Sequence, residues 1–343
     1  MSDVVNRVFR LRQRPTDRVT EADLELTEEQ VPELADGQAL VRTLYLSLDA
    51  SSRLWMSDRK TYIEPVPIDG VMRGLGVGQV VGSRRGDMKA GDLVTGFPGW
   101  QDYSVADDTD NEFPFTVLPD PLPAPLPSML GALGMTGISA YLGLELIGKP
   151  QDGETMVVTA AAGAVGNVAG QVGKARGARV VGIAGADDKC AMLVDELGFD
   201  AAVNYKADDW ARQIDEATPD GIDVQFENVG GPVLNHCISR INRDGRVVLS
   251  GIMSQYGGAG APELDLFPLI VARGLMRAFI VFDHQDRYAE AVDHLGGLVS
   301  SGRLKTRETV VEGLQNTLSA LNDLYDGRNT GKLVVHVADP EPN

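Results

Sequence analysis

Within the segment Thr155 to Gly166, TMVVTAAAGAVG, the run Ala161-Ala162-Gly163-Ala164-Val165-Gly166 carries glycines at positions where a backbone can approach a bulky anion. It has the spacing of the dinucleotide fingerprint G-x-G-x-x-G, with alanine in the first slot. At Gly163 the missing side chain would let two phosphates come close. Gly166 would let the following helix lie tight on its strand, and the amides of that helix's first turn would face the anion. Glycine-rich strand–helix turns are common, so the surroundings of the motif decide its meaning.

Those surroundings are an alternation of strand and helix. Met156, Val157 and Val158 form a buried-strand run, and the pattern Val165, Val168, Ala169 and Val172 predicts a helix over 164–177 with Gly177 just past its end. Arg179–Ala184 reads as the second strand and Asp187–Leu197 as the second helix. Ile222–Phe226, Arg246–Ser250 and Leu275–Phe282 read as further strands, so the pattern predicts a doubly wound parallel sheet. Before about Pro127 the chain reads instead as short strands and turns: Leu40, Leu44, Leu46 and Leu48 alternate, and Gly76–Gly82 and Leu93–Phe97 add strands. Prolines at 119, 121, 123, 125 and 127 mark a boundary, followed by an apolar helical stretch, Met129 to Ile147. The helix-like Leu314–Tyr325 and the strand Leu333–Val337 close the chain and return to the first domain. The expected division is 1–130 with 306–343, and 131–305.

The end of the second strand selects between coenzymes. Sites for NAD place a carboxylate about 20 residues past the glycines, on the adenosine ribose 2′-hydroxyl. Here that stretch is Gly182-Ile183-Ala184-Gly185-Ala186, with Lys189 just beyond. A small residue with a nearby cation suits a 2′-phosphate, which predicts NADP(H). Spacing alone leaves Lys189 evenly balanced between phosphate ligand and solvated surface lysine. Asp187 and Asp188 either cap the helix or repel the phosphate.

The 343 residues carry 49 acidic and 31 basic side chains, a formal charge of −18, which disfavours nucleic acid and anionic membranes as partners. Two cysteines, Cys190 and Cys237, cannot frame a disulfide scaffold and fit a reducing cytoplasm. The arginine-bearing N-terminus lacks the apolar core of a signal peptide. Pro121–Leu144 is broken by four prolines and four glycines, and Thr155–Gly173 is diluted by small and polar residues, so neither reads as a membrane span and the chain reads as soluble.

Several blocks in order resemble the zinc-independent medium-chain dehydrogenase/reductases, in the branch of prostaglandin/leukotriene, curcumin and plant double-bond reductases. They are YLSLDA (45–50), MSD (56–58), AAAGAVG (160–166), GFDAAVNYK (198–206), ENVGG (227–231), SGIMSQY (250–256) and RNTGK (328–332). The resemblance covers nearly the whole chain. It implies an α/β chain with a GroES-like β-rich catalytic domain and a doubly wound Rossmann NADP-binding domain. It further implies that Gly163, Ala164, Val165 and Gly166 bind pyrophosphate, Lys189 the 2′-phosphate, and that Tyr205 packs beside adenosine. By the same resemblance, Asn228 lies at the nicotinamide ribose, Ser250, Gly251, Ile252, Met253, Ser254 and Tyr256 line the cofactor, and Phe279, Ile280 and Val281 hold the carboxamide. Met135 and Thr136 fall near the nicotinamide, and Asn329 closes on the phosphate or ribose side.

The resemblance implies reduction of the C=C bond of an α,β-unsaturated ketone or aldehyde, with hydride adding to the β-carbon and the enolate then protonated. Tyr256 and Tyr62 match tyrosines of the branch near the nicotinamide and the substrate; for both, a packing or exposed-loop role is the ordinary alternative. Asp49 and Arg53 are expected to form a structural ion pair, in a loop where Ala50, Ser51 and Ser52 replace Pro-Tyr-Met. No metal is expected: all four histidines, His236, His284, His294 and His336, and both cysteines follow residue 189, and Gly74-Leu75-Gly76 stands where zinc relatives carry Gly-His-Glu. A zinc-independent quinone reductase and a non-catalytic NADPH-binding protein are the competing readings. Small enones or enals and a second copy of the chain, paired through the edge Leu275–Phe282, are the expected partners.

Overall fold

The computed structural model describes residues 5–107, 109, 113–257 and 263–342. The chain divides into two compact units, Met1–Leu130 with Glu308–Asn343, and Gly131–Arg307.

The first unit is rich in β structure. Strands β1 (Val5–Leu11) and β2 (Leu24–Gln30) form an antiparallel pair. Their charged side chains meet across the ladder, as in the Arg10–Glu29 ion pair at 2.5 Å. Next come β3 (Gln38–Ser47), the short helix α1 (Ser52–Trp55), β4 (Gly76–Ser83), β5 (Leu93–Gly96), β6 (Tyr103–Asp107) and β7 (Thr116–Val117). The unit's core gathers Phe9, Leu11, Leu46, Leu48, Trp55 and Trp100 with Leu333 and Val335 from the end of the chain.

The second unit opens with α2 (Met135–Gly143), which the apolar run after Met129 enters through turns and which continues as a π-helical segment to Gly148. A six-stranded parallel sheet follows: β8 (Thr155–Val158), β9 (Arg179–Ala184), β10 (Ala201–Asn204), β11 (Ile222–Glu227), β12 (Ile241–Leu249) and β13 (Leu275–Ala278). Helices α3 (Ala164–Ala175), α4 (Asp187–Asp195), α5 (Trp210–Ala217), α6 (Gly231–Ser239) and α7 (Phe267–Ala272) connect them, and α8 (Tyr288–Ser300) follows β13. β8 is buried along its whole length, as a strand covered on both faces must be, so its sequence is a continuous apolar run rather than an alternation. On α3, Val168, Ala169 and Val172 are buried and Val165 only partly so; Gly177, at φ +87°, ends the turn in the left-handed conformation expected past a helix C-terminus.

Two strands differ from expectation. β13 stops at Ala278, because Phe279 and Ile280 leave the ladder and the chain coils into a 3₁₀ segment from Val281. β12 begins at Ile241, five residues early, through a turn-like Asn-Arg-Asp-Gly sequence in which Asp244 sits at φ +61° and the register against β11 shifts. The chain returns to the first unit with β14 (Glu308–Glu312), α9 (Thr317–Tyr325) and β15 (Lys332–His336). β15 pairs with β14 and β3 in the sheet β14-β15-β3-β4-β5-β7, with β6 also on β3. Among the described residues no helix is long and apolar enough to cross a membrane.

Candidate active site

Because β8 to β13 all run parallel, their carboxyl ends share one edge of the sheet. The strand order β10-β9-β8-β11-β12-β13 reverses direction between β8 and β11, the place where open α/β sheets leave a crevice for a ligand. The loops that emerge there carry most of the expected site residues. After β8, the turn runs through Ala160, held at φ +47°, to Gly163, whose extended backbone forms the N-cap of α3 with no side chain over the helix amides. Ala161 donates to the Ile183 carbonyl at 2.9 Å, tying the turn to β9. A Cβ on Gly166 would lie 2.3 Å from the Ala160 carbonyl oxygen, so only glycine permits this approach of helix to strand. A bare turn feeding uncapped amides is a fit donor set for a pyrophosphate.

At the end of β9, Gly185 lies under the ring of Tyr205; a Cβ there would meet the ring at 3.0 Å. The Tyr205 amide donates to the Ala184 carbonyl at 3.0 Å, fixing the loop after β10 against β9. Lys189 is half-buried in the first turn of α4. Burial pulls its ammonium below the ordinary lysine value; Asp188 opposes this and the nearby Lys206 adds to it. Neither aspartate caps α4, whose N-cap is Ala186. Asp187 instead accepts from Asn204 Nδ2 at 2.8 Å, and Asp188 from the Lys189 amide at 2.9 Å.

After β11 the backbone is organised by Glu227, which sequence reasoning gave no role. Its fully buried carboxylate accepts from the amides of Val229 and Gly230, both at 2.7 Å, from Thr159 Oγ1 at 2.9 Å and from Gln225 at 2.6 Å. Burial still raises its pKa, with those hydrogen bonds in opposition. Asn228 is pinned beside it: Nδ2 donates to the Thr159 carbonyl at 2.7 Å and the amide donates to Thr159 Oγ1 at 2.8 Å. The signals were a threonine ending an apolar strand and an acid ending another.

The loop after β12 then folds on this frame. Ser250 and Gly251 donate to the Glu227 carbonyl, Met253 to that of Asn228, and Ser254 to that of Val229, at 2.9–3.1 Å. Tyr256 turns back so that a Cβ on Gly251 would be 3.1 Å from its hydroxyl oxygen; burial raises the phenol pKa, opposed by a hydrogen bond from the Ile252 amide. After β13 the Phe279 ring packs toward Gly143 on α2, while Ile280 and Val281 are partly buried. At the start of α2, Met135 is partly buried and Thr136 Oγ1 donates to the Gly131 carbonyl at 3.0 Å.

Tyr62 and Asn329 belong to the first unit. Tyr62 is 42% exposed, in the loop after α1. Asn329 is buried in the turn before β15 and donates to the Gly331 carbonyl at 2.9 Å. The expected Asp49–Arg53 pair is replaced by another. Lys332, almost fully buried, places Nζ 2.8 Å from Asp49 Oδ1 and 2.7 Å from the Leu48 carbonyl, and Ser47 Oγ also donates to Asp49. β15 brings this lysine beside β3 across most of the chain length, which local spacing could not reveal.

Two family profiles match, "N-terminal domain of oxidoreductase" over residues 7–113 and "Zinc-binding dehydrogenase" over residues 164–296. The NADPH-dependent curcumin reductase of Escherichia coli is 40% identical over 340 residues, 97% of each chain, and the NADP(+)-dependent 2-alkenal reductase of Nicotiana tabacum is 35% identical over 98% of each. CurA from Vibrio vulnificus, solved in complex with NADPH, superposes with a TM-score of 0.92 at 40% identity, covering 97% of this chain and 100% of that one. The chain belongs to the medium-chain dehydrogenase/reductases.

Within that superfamily the zinc named in the second profile does not fit this member. His236 pairs with Asp215, which Arg240 shares; His336 lies between Glu312 and Asp339; and His294 stacks on Tyr141. Cys237 is fully buried, its thiol pushed up by that burial, and Cys190 is half-buried on α4. Among the described residues no three histidine, cysteine or carboxylate side chains converge as a metal site would require. The carboxyl edge of this dehydrogenase/reductase does fit a dinucleotide, through the bare turn at Gly163, the helix amides behind it and Lys189.

Proposed function

We propose that this medium-chain dehydrogenase/reductase is an NADPH-dependent reductase of the C=C bond of α,β-unsaturated ketones and aldehydes. One observation carries the reading: the chain aligns across 97% of its length, at 40% identity, with a curcumin reductase. Bound NADPH supplies a hydride, which the β-carbon of the enone accepts.

The chain's own residues bind, orient and protonate. The Gly163–Gly166 turn and the first amides of α3 receive the pyrophosphate, Lys189 the 2′-phosphate, and the Tyr205 ring flanks the adenosine. Asn228, braced by Thr159 and Glu227, would hold the nicotinamide ribose, and Ser250–Ser254, Phe279–Val281, Met135 and Thr136 would line the ring's side of the site. Burial raises the Tyr256 pKa above the ordinary phenol value and so favours the protonated form, a donor to the oxygen on which negative charge builds. The α-carbon proton comes from Tyr256, from Tyr62 or from water, since an enolate needs no strong acid.

The assembly is a homodimer in the cytoplasm. Phe267 and Ile270 on α7 are 68% and 71% exposed, beside the edge strand β13 with Leu275 also exposed. A second copy would cover both the apolar patch and the open ladder. Two free cysteines suit a reducing compartment. Steady-state assays with NADPH against an enone panel and a quinone panel test the reading; turnover of quinones alone would refute it.

A further inference from the structure

The end of β9 holds more cation than the coenzyme reading has used. Lys206 follows Tyr205, and its Nζ lies 5.9 Å from the centre of the Tyr205 ring, close enough for a cation–π contact. That same ring covers Gly185, which places the exposed Lys206 beside the β9–α4 turn that carries Lys189. Its charge reaches Lys189, where it disfavours the second ammonium. Lys206 makes no ion pair among the described residues.

Two like charges at one turn repel each other, and an anion that binds between them relieves that repulsion. The local balance points the same way. The first turn of α4 carries Asp187 and Asp188 against Lys189, which leaves a formal excess of one negative charge. A phosphate dianion entering that turn, on a chain of net charge −18, would be repelled. Lys206 brings the turn to neutrality. Asn204 supports this by taking up Asp187 at 2.8 Å while its own Oδ1 accepts from the Lys206 amide at 3.0 Å, fixing the backbone from which Lys206 projects.

We propose that Lys206 is a second ligand for the adenosine 2′-phosphate, forming with Lys189 a two-lysine clamp across the Tyr205 ring. The inference rests on the NADPH reading and adds to it a specificity-determining residue on a different strand–helix loop. It makes coenzyme choice depend on two charges rather than one.

Titrations of the purified protein with NADPH and with NADH, followed by coenzyme fluorescence at two salt concentrations, test it. Lys206→Met keeps the aliphatic stem over the ring and removes the charge. It is expected to weaken NADPH by about tenfold, equivalent to about 1.4 kcal/mol, to leave NADH within about twofold, and to flatten the salt dependence of NADPH binding. Lys206→Arg is expected to retain most of the preference. If Lys206→Met leaves NADPH affinity intact while Lys189→Met lowers it, the clamp is wrong and the coenzyme reading survives. Equal weakening of both coenzymes also overturns the clamp, since it assigns Lys206 to the adenosine and not to the phosphate. A wild-type protein that binds the two coenzymes equally overturns the coenzyme reading, and the clamp with it.

Discussion

Gly163 and Gly166 lie three residues apart in one turn, yet the structure assigns them opposite sensitivities. A methyl group at Gly166 would sit 2.3 Å from the Ala160 carbonyl oxygen and 2.8 Å from the Ala161 Cα, both backbone atoms with no rotamer to change. Bringing the oxygen contact to about 3.0 Å needs α3 to retreat by roughly 0.7 Å from β8, in an interior packed to crystal density. Overpacking of this kind costs about 1–3 kcal/mol, and backbone on two sides puts Gly166→Ala near the upper end. For a unit of this size that is a fall in Tm of about 6–12 °C. At Gly163 the only near neighbour of an added methyl is the same oxygen at 3.1 Å, and φ is an ordinary −85°. Gly163→Ala should therefore change stability by no more than about 0.5 kcal/mol, the lower entropy of the unfolded chain offsetting the tight contact. Its methyl group instead occupies the path of the pyrophosphate, and NADPH affinity should fall by about tenfold or more. Scanning calorimetry of the ligand-free protein and NADPH titration separate the two effects. A Gly166→Ala variant that melts with wild-type Tm, or a Gly163→Ala variant with full affinity, would refute the close-approach argument.

Lys189→Met should lower the NADPH preference over NADH by about 10–100-fold, the range expected for a charge pair near a protein surface. Because burial holds the folded pKa of Lys189 below its ordinary value, the ammonium is lost at lower pH than in a free lysine. NADPH preference, measured as the ratio of dissociation constants, should therefore fade as pH rises, and at lower pH than an ordinary lysine would give. Tyr256→Phe should reduce kcat for an enone by about 10²-fold with little change in NADPH affinity; in the wild type, kcat should stay flat from about pH 7 to 9, since the raised phenol pKa keeps the donor protonated. An unchanged kcat would move proton donation to Tyr62 or water. Ile270→Glu combined with Leu275→Lys should give a folded monomer by light scattering, because both side chains are exposed in the single chain and charge would oppose their burial between copies.

What was legible in the sequence follows from how local each determinant is. β9 was readable to the residue, because a strand buried on both faces shows as an unbroken apolar run and the glycine turn fixes where the preceding strand ends. β13 was read too long, since Phe279, Ile280 and Val281 look like strand residues whether they join a ladder or leave it for α2 and a 3₁₀ turn. β12 was read too short, because Asn242 to Gly245 has turn composition and its ladder is completed only by a bulge against β11. The roles of Glu227 and Thr159 needed the loop geometry, and the Lys332–Asp49 pair needed the return of β15 to β3.

The account stands on hydride reaching a carbon–carbon double bond, and NADPH carrying deuterium at the transferable position reports that directly. Incubated with the protein and an enone, it should yield the saturated ketone with one deuterium on the β-carbon, located by mass spectrometry and NMR. Deuterium on the former carbonyl carbon, in an allylic alcohol, would contradict the account.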